Sequence, residues 1–343
     1  MNVNPEDFRA LIAHVAGGNS LSIEQAERAF DIMMAGEATP AQMGGLLMAL
    51  RVRGETVDEI TGGAKAMRAR AVAIEAPEGA IDTCGTGGDA KGTFNISTGA
   101  AIVAAACGVP VAKHGNRALS SKSGSADVLT SLGVNIDADM VLVRDALWQA
   151  KIGFLMAPRH HGAMRHVAPT RVELGTRTIF NLLGPLSNPA GAKRQLIGVF
   201  DGVWAEPMAE VLRNLGSERV WVVHGSDGTD ELTITGPSDV VELRAGELRR
   251  FEVSPEDAGL TRASLDAIKG GDGDENARTM AAMLDGAPGP IRDIVLFNTA
   301  AALVVADRAE TLRDGVATAA EAIDSGAART TLDELVAITN RTA

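Results

Sequence analysis

Aromatic side chains are scarce in this sequence, and basic residues are outnumbered by acidic ones. Among 343 residues there is no tyrosine, and all aromatic residues together make up 3%. Lysine and arginine total 32 against 44 aspartates and glutamates, so the formal net charge is −12. Proteins that hold single-stranded nucleic acid stack the bases on aromatic rings, and phosphate backbones require a basic face. The composition therefore disfavours a nucleic-acid partner, and solubility alone explains the negative charge.

Cysteines and long apolar runs are equally few. Cys84 and Cys107 cannot build a disulfide framework, lie in no CxxC pair and stand in apolar surroundings typical of inert buried thiols. The longest weakly polar stretch, residues 99–112, is too short and too broken by glycine and proline to span a bilayer. The start of the chain carries Glu6 and Asp7 and lacks the apolar region of a secretory signal. We expect a cytoplasmic protein without a membrane segment.

The first seventy residues have the period of amphipathic helices. Apolar residues recur every three or four positions and predict four consecutive helices with no strand between them. Pro5 suits the first turn of the first helix, and Ser22, Thr39 and Thr56 are placed to cap the next three. Residues 1–71 are therefore predicted to form a small all-helical domain.

From residue 72 onward, short apolar runs alternate with helical segments. The runs predicted as buried strands are 80–84, 109–112, 152–157, 196–200 and 220–225. The predicted helices are 97–107, 124–133, 140–150, 205–215, 291–306 and 311–326. This alternation is typical of βαβ units in a mostly parallel sheet covered by helices, and an antiparallel pattern follows near residues 233–252.

The fold class predicted for the whole chain is α/β, with the small helical domain preceding a larger α/β domain at residues 72–343. The segment 160–191, dense in proline and glycine, interrupts the alternation. We expect its helices, at about residues 160–185, to complete the helical domain and form one wall of a cleft. Active sites often lie at such boundaries and at the carboxyl ends of parallel strands.

A glycine-rich loop, DTCGTGGDAKGTFNIST (82–98), comes directly after the first predicted strand. It formally matches the dinucleotide pattern GxGxxG/A, but the helix begins only near Ser97 and no carboxylate stands about 20 residues further on. A Walker loop is excluded because Lys91 and Gly92 stand in the wrong order. Unpaired N–H groups at the helix start still favour an anion, with Ser97 and Thr98 as donors or metal ligands. A plain capped turn is the alternative.

The second predicted strand ends in another loop suited to phosphate. The stretch KHGNRALSSKSGSADVLTSLG (113–133) combines Lys113 and Arg117 with four serines at positions 120, 121, 123 and 125, and leads into a helix near Ser125. The serines alone are compatible with ordinary loop solvation. Two adjacent strand ends of this kind indicate a polyanion instead.

A third loop, HGSDGTDELT (224–233), supplies the neighbouring carboxylates Asp230 and Glu231. Adjacent acidic residues in a turn are commonly plain surface. Mg²⁺, however, usually binds one or two carboxylates together with substrate phosphates. Because it lies opposite two candidate phosphate loops, the pair is a candidate Mg²⁺-binding site.

Three clustered histidines raise zinc as a further alternative. His160, His161 and His166 lack a cysteine or carboxylate at a recognised ligand spacing, so ordinary surface or cleft histidines are favoured. No Gly-x-Ser-x-Gly or Cys/His signature indicates a covalent nucleophile.

Together these blocks resemble the anthranilate phosphoribosyltransferases, within the nucleoside phosphorylase-like phosphoribosyltransferases. The blocks that match in order and spacing are GTGGD (85–89), NIST (95–98), KHGNR (113–117), SSKSGSADVL (120–129), the segment 169–189 with RTIFNLLGPLSNP, and Asp230-Glu231. The resemblance covers nearly the whole chain. One departure is Gly162, where family members often have proline.

The resemblance implies the second step of tryptophan biosynthesis from chorismate. In that reaction the 5-phosphoribosyl group of phosphoribosyl pyrophosphate (PRPP) passes to the amine of anthranilate, and pyrophosphate leaves. The resemblance also implies one or two Mg²⁺ ions bound with PRPP and a homodimer formed through the helical domain. It implies no nucleic-acid or membrane partner.

The resemblance further implies residue roles by position. The residues expected to contact PRPP are Gly85, Gly88, Asp89, Thr93, Asn95, Ser97, Thr98, Lys113 and Ser125. Those expected along the anthranilate path are Gly85, His114, Asn116, Arg171 and Pro185. Those expected at Mg²⁺ are Ser97, Asp230 and Glu231. An arylamine is already neutral at pH 7, so the expected catalysis is positioning and charge neutralisation.

Two other functions remain open on the same layout. A pyrimidine nucleoside phosphorylase handles a nucleoside and free phosphate, and would not need the Asp230-Glu231 pair. A non-catalytic relative that binds nucleic acid should be basic and should have lost the phosphate loops. This chain is acidic and keeps them.

Overall fold

The computed structural model describes residues 7–118 and 122–342, so Pro5, Ser120 and Ser121 lie outside the described residues. Four helices form the amino-terminal part: α1 Phe8–Ala16, α2 Ile23–Ala35, α3 Pro40–Arg53 and α4 Val57–Ala69. Asp7 caps the first helix, and the three predicted caps are confirmed. In each of those three, a hydroxyl accepts the N–H of the third helical residue at 3.3 Å, which pairs one orphan donor of the first turn.

The rest of the described chain alternates strands with helices. The strands are β1 Ile81–Gly85, β2 Val111–Gly115, β3 Ile152–Met156, β4 Arg194–Gly198, β5 Arg219–Gly225, β6 Ser238–Arg244 and β7 Glu247–Val253. The helices are α5 Ile96–Ala106, α6 Ser125–Ser131, α7 Met140–Gln149, α8 Ala157–His160, α9 Ala168–Leu174, α10 Phe180–Leu183, α11 Ala205–Asn214, α12 Gly273–Leu284, α13 Pro290–Val305, α14 Leu312–Asp324 and α15 Ala327–Thr339. A 3₁₀ helix at Gly162–His166 joins α8 to α9.

All seven strands form one sheet in the order β3-β2-β1-β4-β5-β6-β7. The first five are parallel, and β6 and β7 add an antiparallel hairpin at one edge. That hairpin turns at Ala245 and Gly246, whose φ angles of +52° and +82° suit a tight two-residue turn. The fold class predicted from the sequence, a helical domain followed by a mostly parallel α/β domain, is confirmed.

Alternate residues of the central strands face two separate cores. Leu196 and Trp221 belong to the core that includes α5 and α13, whereas Ile197 and Val222 belong to the core that includes α1 to α4 and α11. The segment after β3 adds to the second core, where the rings of Phe30 and Phe180 meet edge to face at 5.3 Å. The helical layer therefore packs on one face of the sheet.

Two differences from the predicted elements stand out. Strand β2 was expected to end at residue 112, but it continues through Lys113 and His114 to Gly115. Both side chains are buried inside the sheet, and polar partners replace the water that they would have in a loop. Helices α12 and α15 were not predicted. Within the described parts of the chain, no helix is long and apolar enough to cross a membrane.

Candidate active site

The site lies at the carboxyl ends of β1, β4 and β5, where the chain approaches itself too closely for side chains. Gly85 and Gly198 are register partners at the ends of β1 and β4. A Cβ on Gly85 would overlap the Asp230 carboxylate, and a Cβ on Gly198 would overlap the Asp230 carbonyl oxygen. The glycines therefore allow the loop after β5 to pack directly on two strand ends.

The loop after β1 wraps around the same carboxylate. Gly87 N–H donates to Asp230 Oδ2 at 2.7 Å, and Thr86 N–H donates to the Gly198 carbonyl at 2.9 Å. Gly87 and Gly88 have φ angles of +66° and +76°, in the left-handed region where glycine is favoured. The glycines of GTGGD thus bend the backbone around a half-buried acidic group.

Helix α5 begins beside the second carboxylate. Ser97 N–H, in the first turn, donates to Glu231 Oε1 at 3.2 Å. Lys113 reaches the same turn from β2, since its Nζ lies 3.3 Å from Ser97 Oγ and 2.6 Å from the Thr83 carbonyl oxygen. The Lys113 residue is only 2% exposed. A helix N-terminus, a hydroxyl and an ammonium group therefore converge next to Glu231, as an anion site requires.

Negative charge is concentrated around Asp230 and Glu231, where burial and this charge together raise the pKa of both carboxyl groups. Burial and the charge of Asp89 raise the pKa of Asp230 to about 6, although the Gly87 N–H opposes the shift. Burial and the charge of Asp230 raise the pKa of Glu231 to about 8, although Lys113 opposes it. Burial lowers the pKa of Lys113, while Asp82 and Glu231 act in the opposite direction.

These carboxylates fit a divalent cation. Asp89 Oδ2 is buried without a hydrogen-bond partner, which is the state expected of a metal or substrate ligand. Among the described residues, no three histidine, cysteine or acidic side chains form a metal site by themselves. Mg²⁺ seldom needs such a cage, because it keeps several waters and shares substrate phosphates.

A small amide network joins the first two loops. Asn95, the residue before α5, donates to the Ser123 carbonyl at 3.3 Å and accepts from Ser123 Oγ at 3.2 Å. Asn276, near the start of α12, donates to Asn95 Oδ1 at 2.8 Å. Asn276 was not foreseen, because α12 itself was not predicted.

Strands β1 and β2 separate toward the cleft, and polar side chains fill the gap. Their backbone register includes Ile81 with Val111. Further on, Asp82 accepts the N–H of His114 at 3.1 Å and the amide of Asn188 at 2.7 Å, while Asn188 also donates to the Ala112 carbonyl. Asp82 and Asn188 thus bridge the two strands and hold β2 at the positions of Lys113 and His114. Neither Asp82 nor Asn188 was predicted from the sequence as a site residue.

The expected anthranilate side is lined by neutral imidazoles. His114 donates through Nδ1 to the Gly184 carbonyl at 3.2 Å, and its buried Nε2 has no partner. Its ring lies 5.1 Å from that of His161. Burial and the neighbouring imidazoles lower the pKa of His114 to about 3 and that of His161 to about 4. The adjacent Pro185 is buried, and its carbonyl accepts from Gln195 at 2.9 Å.

Arg171 packs against the helical layer, whereas Asn116 and Ser125 lie near the end of β2. The Arg171 guanidinium lies 5.5 Å from the Phe180 ring centroid, and burial lowers its pKa. Asn116 is exposed at the end of β2, and Ser125 Oγ lies 2.5 Å from where a Cβ of Gly115 would stand.

Thr93 and Thr98 are the remaining predicted PRPP contacts. Thr93 forms an isolated bridge with Lys269. Thr98 is buried with its hydroxyl unpaired. The proposed roles of all the predicted site residues stay predictions.

The three clustered histidines contact different neighbours. His160 donates through Nδ1 to the Val72 carbonyl at 2.7 Å, whereas the His161 ring is tilted by 57° to that of His114 and His166 lies against Gly36. Neither cysteine forms a disulfide. Burial raises the pKa of both thiols, so they stay protonated near neutral pH.

Comparison with known proteins gives consistent matches over the whole chain. Residues 77–329 match the glycosyl transferase family α/β domain, and residues 9–71 match the helical bundle domain of that family. Anthranilate phosphoribosyltransferase of Azospirillum brasilense is 65% identical over 97% of this chain and 94% of its own. The crystal structure of anthranilate phosphoribosyltransferase from Thermus thermophilus has a TM-score of 0.92 at 46% identity, covering 96% of this chain and 99% of that one. The Saccharomyces cerevisiae enzyme in complex with PRPP and Mg has a TM-score of 0.89 at 27% identity and 98% coverage of both chains.

Proposed function

Because the chain belongs to the anthranilate phosphoribosyltransferase family, we infer that it transfers the 5-phosphoribosyl group of PRPP to the amine of anthranilate. The products are N-(5-phosphoribosyl)anthranilate and pyrophosphate. The observation that carries this function is the meeting of the α5 N-terminus, Lys113 and the Asp230-Glu231 pair at one strand edge. A phosphorylase acting on free phosphate has no need of two half-buried carboxylates there.

The residues around Glu231 are suited to the leaving group. As pyrophosphate departs from C1 of the ribose, negative charge grows on its oxygens. The Lys113 ammonium group, on a buried residue, and the N–H groups of the first turn of α5 stabilise that charge. Mg²⁺ held by Ser97, Asp230 and Glu231, as one or two ions, would supply further charge neutralisation for the pyrophosphate.

The residues on the other wall orient the acceptor. The planar fork of Arg171 matches the carboxylate of anthranilate, and its partial burial strengthens such a pair. His114 stays neutral because its pKa lies far below 7, so it adds no positive charge near the ring. An arylamine needs no strong base for attack. Positioning of the two substrates is therefore the main task of the protein.

The direct test is the loss of anthranilate fluorescence on mixing the protein with PRPP and Mg²⁺. We expect a decay that EDTA abolishes and that added Mg²⁺ restores. Absence of decay, together with cleavage of uridine or thymidine in the presence of phosphate, would assign the site to the phosphorylases.

Replacing Arg171 tests the acceptor site. We expect Arg171→Ala to raise the anthranilate KM by about 10- to 100-fold, since a charge-assisted hydrogen-bond pair contributes about 1.5–3 kcal/mol. The PRPP KM should change less than about threefold. Steady-state kinetics with each substrate varied in turn measure both values, and an unchanged anthranilate KM would remove Arg171 from the site.

We also propose a homodimer formed through the helical domain, with that domain spanning residues 1–71 and completed by helices from about 160–185. Exposed apolar side chains on two helices support this interface. Val52 on α3 and Val172 on α9 are 82% and 80% exposed. The mass in solution, compared with the 35.5 kDa of one chain, tests it. Two protonated, unpaired thiols agree with the cytoplasmic location that we propose.

A further inference from the structure

Arg177 makes a set of contacts that ties the helical layer to the glycine loop. This residue lies between α9 and α10, within the matching segment 169–189, but the resemblance assigned it no role. Its Nη2 donates to the Gly88 carbonyl, and its guanidinium lies over the Phe200 ring at 3.9 Å from the centroid. Its own carbonyl accepts from Nη1 of Arg51 on α3. A chain of contacts therefore runs from α3 to the loop at residues 85–89.

Stacking on Phe200 makes this contact directional. A guanidinium held 3.9 Å from the centroid of an aromatic ring is confined to the ring face, which restricts the directions in which its N–H groups donate. Phe200 is itself tied to the loop, because its N–H donates to Thr86 Oγ1 at 2.9 Å. A Cβ on Gly88 would stand only 3.2 Å from Arg177 Nη2, so this close approach suits glycine.

The hydrogen bond to Gly88 determines how the next peptide group is turned. In a trans peptide the C=O and the following N–H point in opposite directions. With the Gly88 carbonyl bound to Arg177, the N–H of Asp89 is directed away from Arg177. Gly87, one residue before Gly88, donates its N–H to Asp230 Oδ2 at 2.7 Å, so this part of the loop borders the carboxylate site.

We propose that Arg177 is a positioning residue that fixes the Gly88–Asp89 peptide so that its N–H serves the pyrophosphate of PRPP. This inference rests on the proposed phosphoribosyl transfer and adds a residue that acts on one substrate only. Arg51 contributes indirectly by holding the backbone of Arg177. The helical layer thereby influences PRPP binding without touching the substrate.

The experiment compares Arg177→Gln with Arg249→Gln. Arg249 is a matched control, since its guanidinium also lies over a phenylalanine ring, at 5.3 Å from Phe251 on β7. We expect Arg177→Gln to raise the PRPP KM by about 10- to 100-fold, as loss of a charged donor does. It should also weaken PRPP–Mg²⁺ binding without anthranilate, measured by calorimetry, by a similar factor. The anthranilate KM and the melting temperature should stay near wild type, and Arg249→Gln should change none of these values.

Two further variants separate positioning from general destabilisation. Arg177→Lys keeps a cationic donor but loses the planar stack, so its PRPP KM should lie between those of wild type and Arg177→Gln. Arg51→Ala should raise the PRPP KM less, and its effect should not add to that of Arg177→Gln, because both act through one contact chain. Equal weakening of both substrates, or wild-type PRPP binding in a folded Arg177→Gln or Arg177→Lys variant, would overturn the inference. Lack of transfer by the wild-type protein would instead overturn the proposed function.

Discussion

Replacing Asp230 and Glu231 by their amides is expected to lower kcat/KM by about a thousandfold, which corresponds to roughly 4 kcal/mol of transition-state stabilisation. The double variant Asp230→Asn, Glu231→Gln keeps the shape of both side chains and removes both charges. The Mg²⁺ concentration for half-maximal rate should rise at least about tenfold, since the amides bind a divalent cation weakly. Initial rates over a Mg²⁺ titration measure both quantities. Wild-type Mg²⁺ dependence would count against the metal assignment.

The single substitution Glu231→Gln should stabilise the metal-free protein. Glu231 has a folded-state pKa of about 8, above its ordinary value of 4.5, so the folded protein holds a proton that the unfolded chain has released. Between these values stability falls as pH rises, because the unfolded state binds fewer protons. Glu231→Gln removes that loss. We expect its melting temperature in EDTA to exceed that of wild type by roughly 2 °C or more at pH 8, and to equal it near pH 4.

An exposed carboxylate provides the control for both experiments. Glu256 pairs with Arg262 at 2.8 Å on the surface, where an ion pair contributes little. Glu256→Gln should therefore leave both the Mg²⁺ titration and the pH dependence of melting unchanged. A higher melting temperature together with lost activity is typical of groups kept for function at the expense of stability.

Most helices and strands were predicted correctly, because caps and apolar periodicity depend on residues that are close in sequence. The caps at Ser22, Thr39 and Thr56 each depend on a residue three positions further on, so the sequence shows them directly. The parallel strands follow from short apolar runs between helices. The prediction ended strand β2 at residue 112 because Lys113 and His114 are polar, and their pairing with Phe154 and Leu155 of β3 is visible only in the structure.

The parts of the site that escaped prediction depend on pairs distant in sequence. Asp82 meets Asn188 across 106 positions, and Arg177 meets Gly88 across 89. No spacing rule connects such residues, since the sheet order brings them together only after folding. The sequence indicated two anion-binding loops and a pair of carboxylates suited to a metal ion. The groups that hold those loops in place are visible only in the structure.

Gly198→Ala is expected to abolish most activity and to lower stability, although it adds a single methyl group. The residue ends β4, where a Cβ would overlap the carbonyl oxygen of Asp230. Backbone atoms cannot rotate away as a flexible side chain does. The Asp230 loop must therefore move off β4 or the strand end must bend. Either change displaces the carboxylates from the α5 N-terminus, and a shift of about 1 Å can lower a rate about 100-fold.

The measurement pairs kcat/KM with the melting temperature, and Gly45→Ala provides the control. Gly45 lies within α3, where a Cβ would meet only Ile12 at an ordinary 3.9 Å. Alanine there should stabilise by about 0.5–1 kcal/mol through helix propensity and leave the rate unchanged. In Gly198→Ala we expect kcat/KM to fall at least about 100-fold, with loss of the Mg²⁺ response. If Gly198→Ala kept its Mg²⁺ response, the Asp230 loop would tolerate displacement. The carboxylates would then be ordered by something other than close packing of the three strand ends.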